Sequence, residues 1–228
     1  MTEVTIAVPY RHSDSAPREE AFKYIASRLE EWFPDFEFLV ADSGHEVFNR
    51  SATRNKAVEM ATGQVVVICD ADTVPQKDSL TKAIEGALED NRLHLPYTIF
   101  RGLDETSTRK VFSQGADPHE VVPMETADWS VGGVWVISKE GWDNAGGMDE
   151  RFFGWGYEDN AFYEATNIIN GKTVRHTGFI THLWHPRPAN LTFTDEYYAN
   201  RDLYNRYRVR KNNAREMKRL LEEEGRRS

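Results

Sequence analysis

"VVVICDADTVP", residues 65–75, sets four apolar residues and a cysteine directly before two aspartates one residue apart, with a proline close behind. So short a run, rich in β-branched residues, reads as a buried strand. Two carboxylates at its end repel each other in a partly dry site unless something positive sits beside them. A divalent cation resolves that. Asp70 and Asp72 are expected to divide the work, one pointing into a crevice and the other facing away or reaching over. The plainer alternative is a turn acid or a helix cap.

The neighbouring segments give this strand its setting. "TEVTIAVPYR" reads as a strand that halts at Pro9, and "FEFLVAD" as another. Between them "DSAPREEAFKYIASRLEEWF" has Pro17 at a helix start and Phe22, Ile25, Leu29, Trp32 and Phe33 at helical spacing. "NRSATRNKAVEMATG" reads as a helix stopped by Gly63, and "KDSLTKAIEGALED" as one with Leu80, Ile84 and Leu88 on one face. Strand and helix alternating at these lengths predicts an α/β fold, a mostly parallel central sheet flanked by helices, with a ligand crevice outside the strands' C-terminal ends. That rim collects Pro9 to Arg11, Asp42 to Ser43 and Asp70 to Asp72. No glycine-rich dinucleotide fingerprint or phosphate loop is present, so a nucleotide must be held another way.

After Asn91 the pattern loosens into short strands and loops until Gly132 and Gly133 open a further strand. From about Thr194 the chain reads helical. The expected organisation is a single α/β domain over 1–193, with a nucleotide-binding half at 1–92 and an acceptor and metal half at 93–193, followed by a basic helical tail at 194–228. The formal charge is −9, yet Arg206 to Ser228 carries nine Lys/Arg against four Glu, a local net of +5. An acidic body is not a nucleic-acid binder. The tail reads either as a helix for peripheral contact with anionic lipid or as a solvated helix packing Tyr and Leu on the body. Cys69 is the one cysteine, no apolar stretch approaches membrane-span length, and "MTEVTIAVPYR" lacks a signal peptide's basic start and apolar core. A cytoplasmic protein without a transmembrane segment is expected.

Two further clusters carry chemistry. His182 and His185 in "THLWHP" can converge on one ion where the chain turns, with Pro186 and Pro188 enforcing a non-helical path. Joined to the aspartates they make an oxygen and nitrogen donor set suited to Mn²⁺ and tolerable for Mg²⁺; alone, such a pair is ordinary packing. His176 reads as structural. In "GWGYEDNAF", Gly154 and Gly156 leave room for a ligand, Trp155 offers a flat face for a sugar, and Glu158 and Asp159 begin a helix whose dipole favours ionised carboxylates. Such a carboxylate beside a bound hydroxyl can act as a general base, though first-turn acids and a core tryptophan account for the same letters.

The ordered set "VPYR", "FNRSATRN", "CDAD", "SVGGVWVISKEGW", "GGMDERFFGWGYEDNAF" and "HLWHP" resembles the GT-A fold glycosyltransferases, most of all the β1,4-galactosyltransferase type, with similarity also to family 2 glycosyltransferases. The resemblance runs from Val4 to Pro188. It implies that Pro9, Tyr10 and Arg11 form the first nucleotide-binding turn, that Asp42 lies on the same rim, and that Phe48 and Arg50 flank the base and diphosphate. By the same resemblance Asp70 supports the ribose side, Asp72 and His185 hold the metal, and His182 stands where relatives carry a methionine ligand. Gly133 lies near the donor sugar. Trp155 sits between donor and acceptor, and Glu158 and Asp159 bind the acceptor hydroxyl, with Asp159 as base.

Two departures bear on specificity. Tyr157 replaces a glycine and is expected to narrow the acceptor pocket or add a stacking face. Ser130 replaces a bulky tyrosine and leaves space for an N-acetyl group. The implied reaction is metal-dependent, inverting transfer of a hexose or N-acetylhexosamine from a UDP-sugar to a glycan, lipid-linked or protein hydroxyl. Alternatives are a retaining enzyme like the polypeptide N-acetylgalactosaminyltransferases, a nucleotidyltransferase, for which "VPYRHSDS" lacks the phosphate loop, and a non-catalytic sugar-nucleotide-binding protein.

Overall fold

A computed structural model of the chain describes residues 3–13, 15–186, 192, 194–223 and 226. Pro188 and Ser228, named above, lie outside the described residues. Strand β1 (Val4–Pro9), helix α1 (Ala16–Trp32), β2 (Glu37–Ala41), α2 (Arg50–Met60) and β3 (Val65–Cys69) come first. They are followed by β4 (Thr73–Pro75), α3 (Lys77–Glu89), β5 (His94–Leu95), β6 (Ile99–Gly102), α4 (Glu105–Gln114), β7 (Glu125–Ala127), β8 (Val134–Ser138) and α5 (Lys139–Asn144). The chain continues through α6 (Glu158–Ile169), β9 (Val174–Arg175), β10 (Phe179–His182), α7 (Asp195–Arg208) and α8 (Ala214–Leu221).

The α/β architecture expected from the sequence is present. The main sheet has the order β2-β1-β3-β8-β5-β9, with β1 parallel to both β2 and β3. Every residue of β3 is buried, as a strand covered on both faces must be. Helix α2 packs on β1 to β3, and α3 on β3, β8 and β5. Removing one aliphatic side chain of this core, such as Ile6 or Ile68, from water contributes about 1.5–3 kcal/mol.

The main sheet is mostly parallel, with β8 running antiparallel to its neighbours β3 and β5. A second sheet, β4-β10-β6-β7, stands beside it. Several local expectations need correction. The segment read as irregular after Asn91 contains α4, capped by the Asp104 carboxylate at one end and by left-handed Gly115 at the other. Leu88 is exposed; Leu80, Ala83, Ile84 and Ala87 form the buried face of α3. Gly63 does not cap α2, which ends at Met60; a side chain at 63 would press on the backbone of Val4 and Thr5, so the glycine serves close packing against β1.

The basic C-terminal helices fold onto the body. Tyr207 of α7 and Met217 and Leu220 of α8 bury themselves against Phe152, Ala161 and Ala165. Arg226 donates to the carbonyls of Gly146 and Gly147, while Tyr207 Oη donates to Asp149, which also pairs with Arg151. Among the described residues, no helix is long and apolar enough to cross a membrane.

Candidate metal and acid site

The second sheet brings together residues remote in sequence. Antiparallel pairing of β10 with β4 sets His182 opposite Thr73, next to Asp72, and the amide of Leu183 donates to the Asp72 carbonyl at 2.8 Å. The amide of Trp184 donates to Thr108 Oγ1 of α4 at 2.9 Å, which fixes the turn between the two histidines. As a result Asp72 Oδ2 lies 3.2 Å from His185 Nε2, and Asp72 Oδ1 lies 3.7 Å from His182 Nε2. The three donor atoms all fall within 4.8 Å of one another. His185 Nδ1–H donates to the Pro186 carbonyl at 3.0 Å, which orients Nε2 toward Asp72 and makes it the ring nitrogen that would face a cation there. Burial alone would raise the Asp72 pKa, but the charge of His182 and the hydrogen bond from His185 outweigh it and hold the carboxyl well below the ordinary range.

One carboxylate and two imidazoles on a turn form an oxygen and nitrogen set that fits Mn²⁺ and is less suited to Mg²⁺. The chain between the aspartates is a turn, closed by the Thr73 amide on the Asp70 carbonyl at 3.1 Å, and not the extended segment expected. The two acids therefore part company: Asp72 goes to the histidines, and Asp70 goes to Arg54.

Arg54 links the two halves of the site. It is 2% exposed, with its guanidinium 4.5 Å over the Trp135 ring. Its Nη2 contacts Asp70 Oδ1 and Oδ2 at 2.8 and 3.1 Å, and its Nη1 contacts Asp159 Oδ1 at 2.6 Å. Sequence reasoning quoted this arginine within "FNRSATRN" and gave it no role. Its position four residues after Arg50, on the same face of α2, was the available signal. The Asp159 carboxyl is pushed up to about 6, first by burial and further by Glu158 and Asp70, with Arg54 opposing. Gly132 makes room for it, since a side chain there would collide with Asp159 Oδ2. Tyr97 Oη donates to the Gly132 carbonyl at 2.7 Å, and the Asp70 amide donates to the Gly133 carbonyl at 2.8 Å. Gly133 itself has φ +93 and faces Ile180 and Thr73.

The other expected residues fall into two groups. Glu158 is buried at the start of α6; its Oε2 accepts from the Gly156 amide at 3.1 Å and its Oε1 meets Arg50 at 3.4 Å, while Arg50 also donates to the Gly154 carbonyl. Glu158 thus ties its own loop to α2. Trp155 remains 38% exposed and stacks on Tyr197 of α7 at 5.9 Å. Tyr157 takes a left-handed conformation, φ 72, stacks on Tyr204 and hydrogen-bonds Tyr197 at 2.9 Å, so its ring faces α7. The second group is the rim at β1 and β2, where Arg11 pairs with Asp42 at 2.6 and 2.7 Å and sits 5.6 Å from the Phe48 ring. Pro9 ends β1 beside Ala41. Tyr10 is buried, stacked on Phe22 and bonded to Glu19, so it shapes the rim from beneath. His176, read as structural, contacts His94 at 3.0 Å.

Comparison with known proteins agrees with this architecture. A family model described as Glycosyl transferase family 2 matches residues 21–120, and one described as the N-terminal domain of galactosyltransferase matches residues 122–186. A search among curated proteins gave no match in sequence. The structure of Drosophila β1,4-galactosyltransferase 7, a mutant in complex with manganese, UDP-Gal and xylobiose, is similar with a TM-score of 0.58 and 16% identity, over 88% of this chain and 80% of that one. S. aureus TarS, residues 1–349, is similar with a TM-score of 0.56 and 13% identity, over 96% of this chain and 69% of that one. The fold is GT-A. Both family models describe glycosyltransferases, so the resemblance read from the six motifs is borne out, and with it the enzyme class.

Proposed function

We propose that this GT-A glycosyltransferase transfers a hexose or N-acetylhexosamine from a UDP-sugar to an acceptor hydroxyl with inversion, in a reaction that depends on Mn²⁺. One observation carries the reading: Asp72, His182 and His185 converge on one point, and the turn that holds Asp72 is joined through Asp70 and Arg54 to Asp159. Asp72 and the two imidazoles would hold the cation, which neutralises a diphosphate leaving group when bound. The Drosophila neighbour's complex with manganese and UDP-Gal supports that choice of metal and donor.

Asp159 is suited to the base role because its carboxyl is pushed up to about 6, close to the pH at which it must take a proton. It removes the acceptor hydroxyl proton as that oxygen attacks the anomeric carbon and the bond from that carbon to the diphosphate oxygen breaks. Trp155, half-exposed beside the acids, offers the acceptor sugar a flat face. Ser130, a small half-buried residue two positions before Gly132, supports an N-acetyl sugar as donor alongside galactose. Buried Cys69, the one cysteine of the chain, supports a reducing compartment.

The test is UDP release from UDP-Gal, UDP-GalNAc and UDP-GlcNAc with Mn²⁺, using an acceptor panel that includes xylobiose. Expected is Mn²⁺-dependent release and a product of inverted anomeric configuration. No release with any donor overturns the transferase reading, and a retained configuration removes Asp159 from the role of base.

A further inference from the structure

Arg54 has no place in the reaction described so far, yet it is the most deeply buried charge at the site. A guanidinium 2% exposed is costly to bury, and apolar replacement of such buried ion pairs is often neutral or stabilising, so stability alone does not account for it. Its Nε has no hydrogen-bond partner among the described residues, so its polar contacts run through the two terminal nitrogens. Those nitrogens divide between two carboxylates from different parts of the chain, Asp70 after β3 and Asp159 on α6. The planar fork spans both at once, which a single ammonium does poorly. Trp135 stacks under the guanidinium and fixes its plane, and Met148 Sδ lies 3.9 Å from Nη1.

We propose that Arg54 is a positioning residue for the transfer: it holds the Asp159 carboxylate at a fixed place relative to the nucleotide-side Asp70, and it keeps Asp159 ionised at working pH. This rests on the reading of Asp159 as the base. The charged and titratable groups facing Asp159 are Arg54 from α2, Asp70 from the end of β3, its neighbour Glu158 on α6, and the Tyr97 phenol. Of these only Arg54 favours the carboxylate. Without it, burial and two acids all push Asp159 toward its protonated form, and the acid limb of the pH–rate profile moves upward.

The experiment compares wild type, Arg54→Met, Arg54→Lys, Asp159→Asn and the Arg54→Lys/Asp159→Asn double variant. Turnover is followed across the acid and neutral range at saturating Mn²⁺ and UDP-sugar, with thermal unfolding as the folding control. Arg54→Lys keeps a buried cation and so provides a folded protein if Arg54→Met does not. Expected is a loss of about tenfold or more in kcat for either arginine variant, within the range a misplaced general base costs. For Arg54→Met the acid limb is expected to rise by about one pH unit or more, the usual effect of an adjacent guanidinium on a carboxylate. The double variant should be no slower than Asp159→Asn alone, because Arg54 acts through Asp159. An acid limb that stays in place in a folded Arg54→Met variant, or a lysine effect that multiplies fully with Asp159→Asn, overturns the role of Arg54 while leaving the transferase reading intact. A wild-type protein that releases no UDP overturns both.

Discussion

Gly132 lies against Asp159 so closely that a Cβ at position 132 would collide with the carboxylate oxygen Oδ2. This glycine, two residues before β8, is therefore part of how the candidate base is seated, and its use is steric, since no left-handed backbone angle is required there. Gly132→Ala is expected to leave the fold intact while displacing Asp159. A shift of about 1 Å can cost 10²-fold in rate, so UDP release should fall by at least about tenfold. Turnover close to wild type would show that Asp159 need not sit where it does.

The acid–base chemistry has a pH signature. Burial pushes the Asp159 carboxyl up to about 6, so at saturating Mn²⁺ and donor the rate should rise through that pH as the base ionises. The stability consequence has the opposite sense. The folded state prefers the protonated carboxyl, so this contribution to stability is complete below the ordinary aspartate value and is lost as pH rises through about 6. Urea midpoints of wild type and Asp159→Asn should accordingly diverge in favour of the variant over that interval. Parallel midpoints would contradict the raised pKa.

Removing the metal donors should act on binding before it acts on fold. Asp72→Ala and His185→Ala each delete one member of a three-donor set. The loss in Mn²⁺ affinity, read by titration calorimetry, should exceed the ~10–100-fold that outer-shell partners of a metal cost. Unchanged Mn²⁺ affinity in Asp72→Ala would move the metal elsewhere.

Helix α7 holds the loop that carries Trp155. Asn200, 2% exposed, accepts from the Phe153 amide at 3.1 Å and donates to its carbonyl at 2.7 Å. Asn200→Ala leaves both backbone groups without their partner, a cost of about 1–3 kcal/mol for each group kept from water, readable as a lowered urea midpoint. Acceptor KM should rise more than donor KM if, as proposed, Trp155 on this loop offers its face to the acceptor sugar. Equal changes in both would assign Asn200 to fold stability alone.

The first half of the fold was legible because its signals are local. β1, α1, β2, α2, β3 and α3 each declare themselves through apolar periodicity within one segment. The second sheet was not, since its strands span only three or four residues and pair across long separations, as β4 does with β10. Helix α4 hid behind a polar sequence, although Asp104 and Gly115 were its caps in plain view. The metal trio was recoverable from residue chemistry and motif order. The split of Asp70 from Asp72 was not, because it depends on a turn and on an arginine from another helix. The packing of Tyr157 was hidden for a related reason: the α7 tyrosines against its ring, Tyr197 and Tyr204, lie outside every motif.

The account depends on Asp72, His182 and His185 forming the metal-bearing floor of a UDP-sugar site. Titration of UDP into the wild-type protein, once with Mn²⁺ and once with a chelator, tests this most directly. Expected is saturable binding with Mn²⁺ that disappears in chelator. UDP that binds equally well without metal, or not at all with it, would contradict the account.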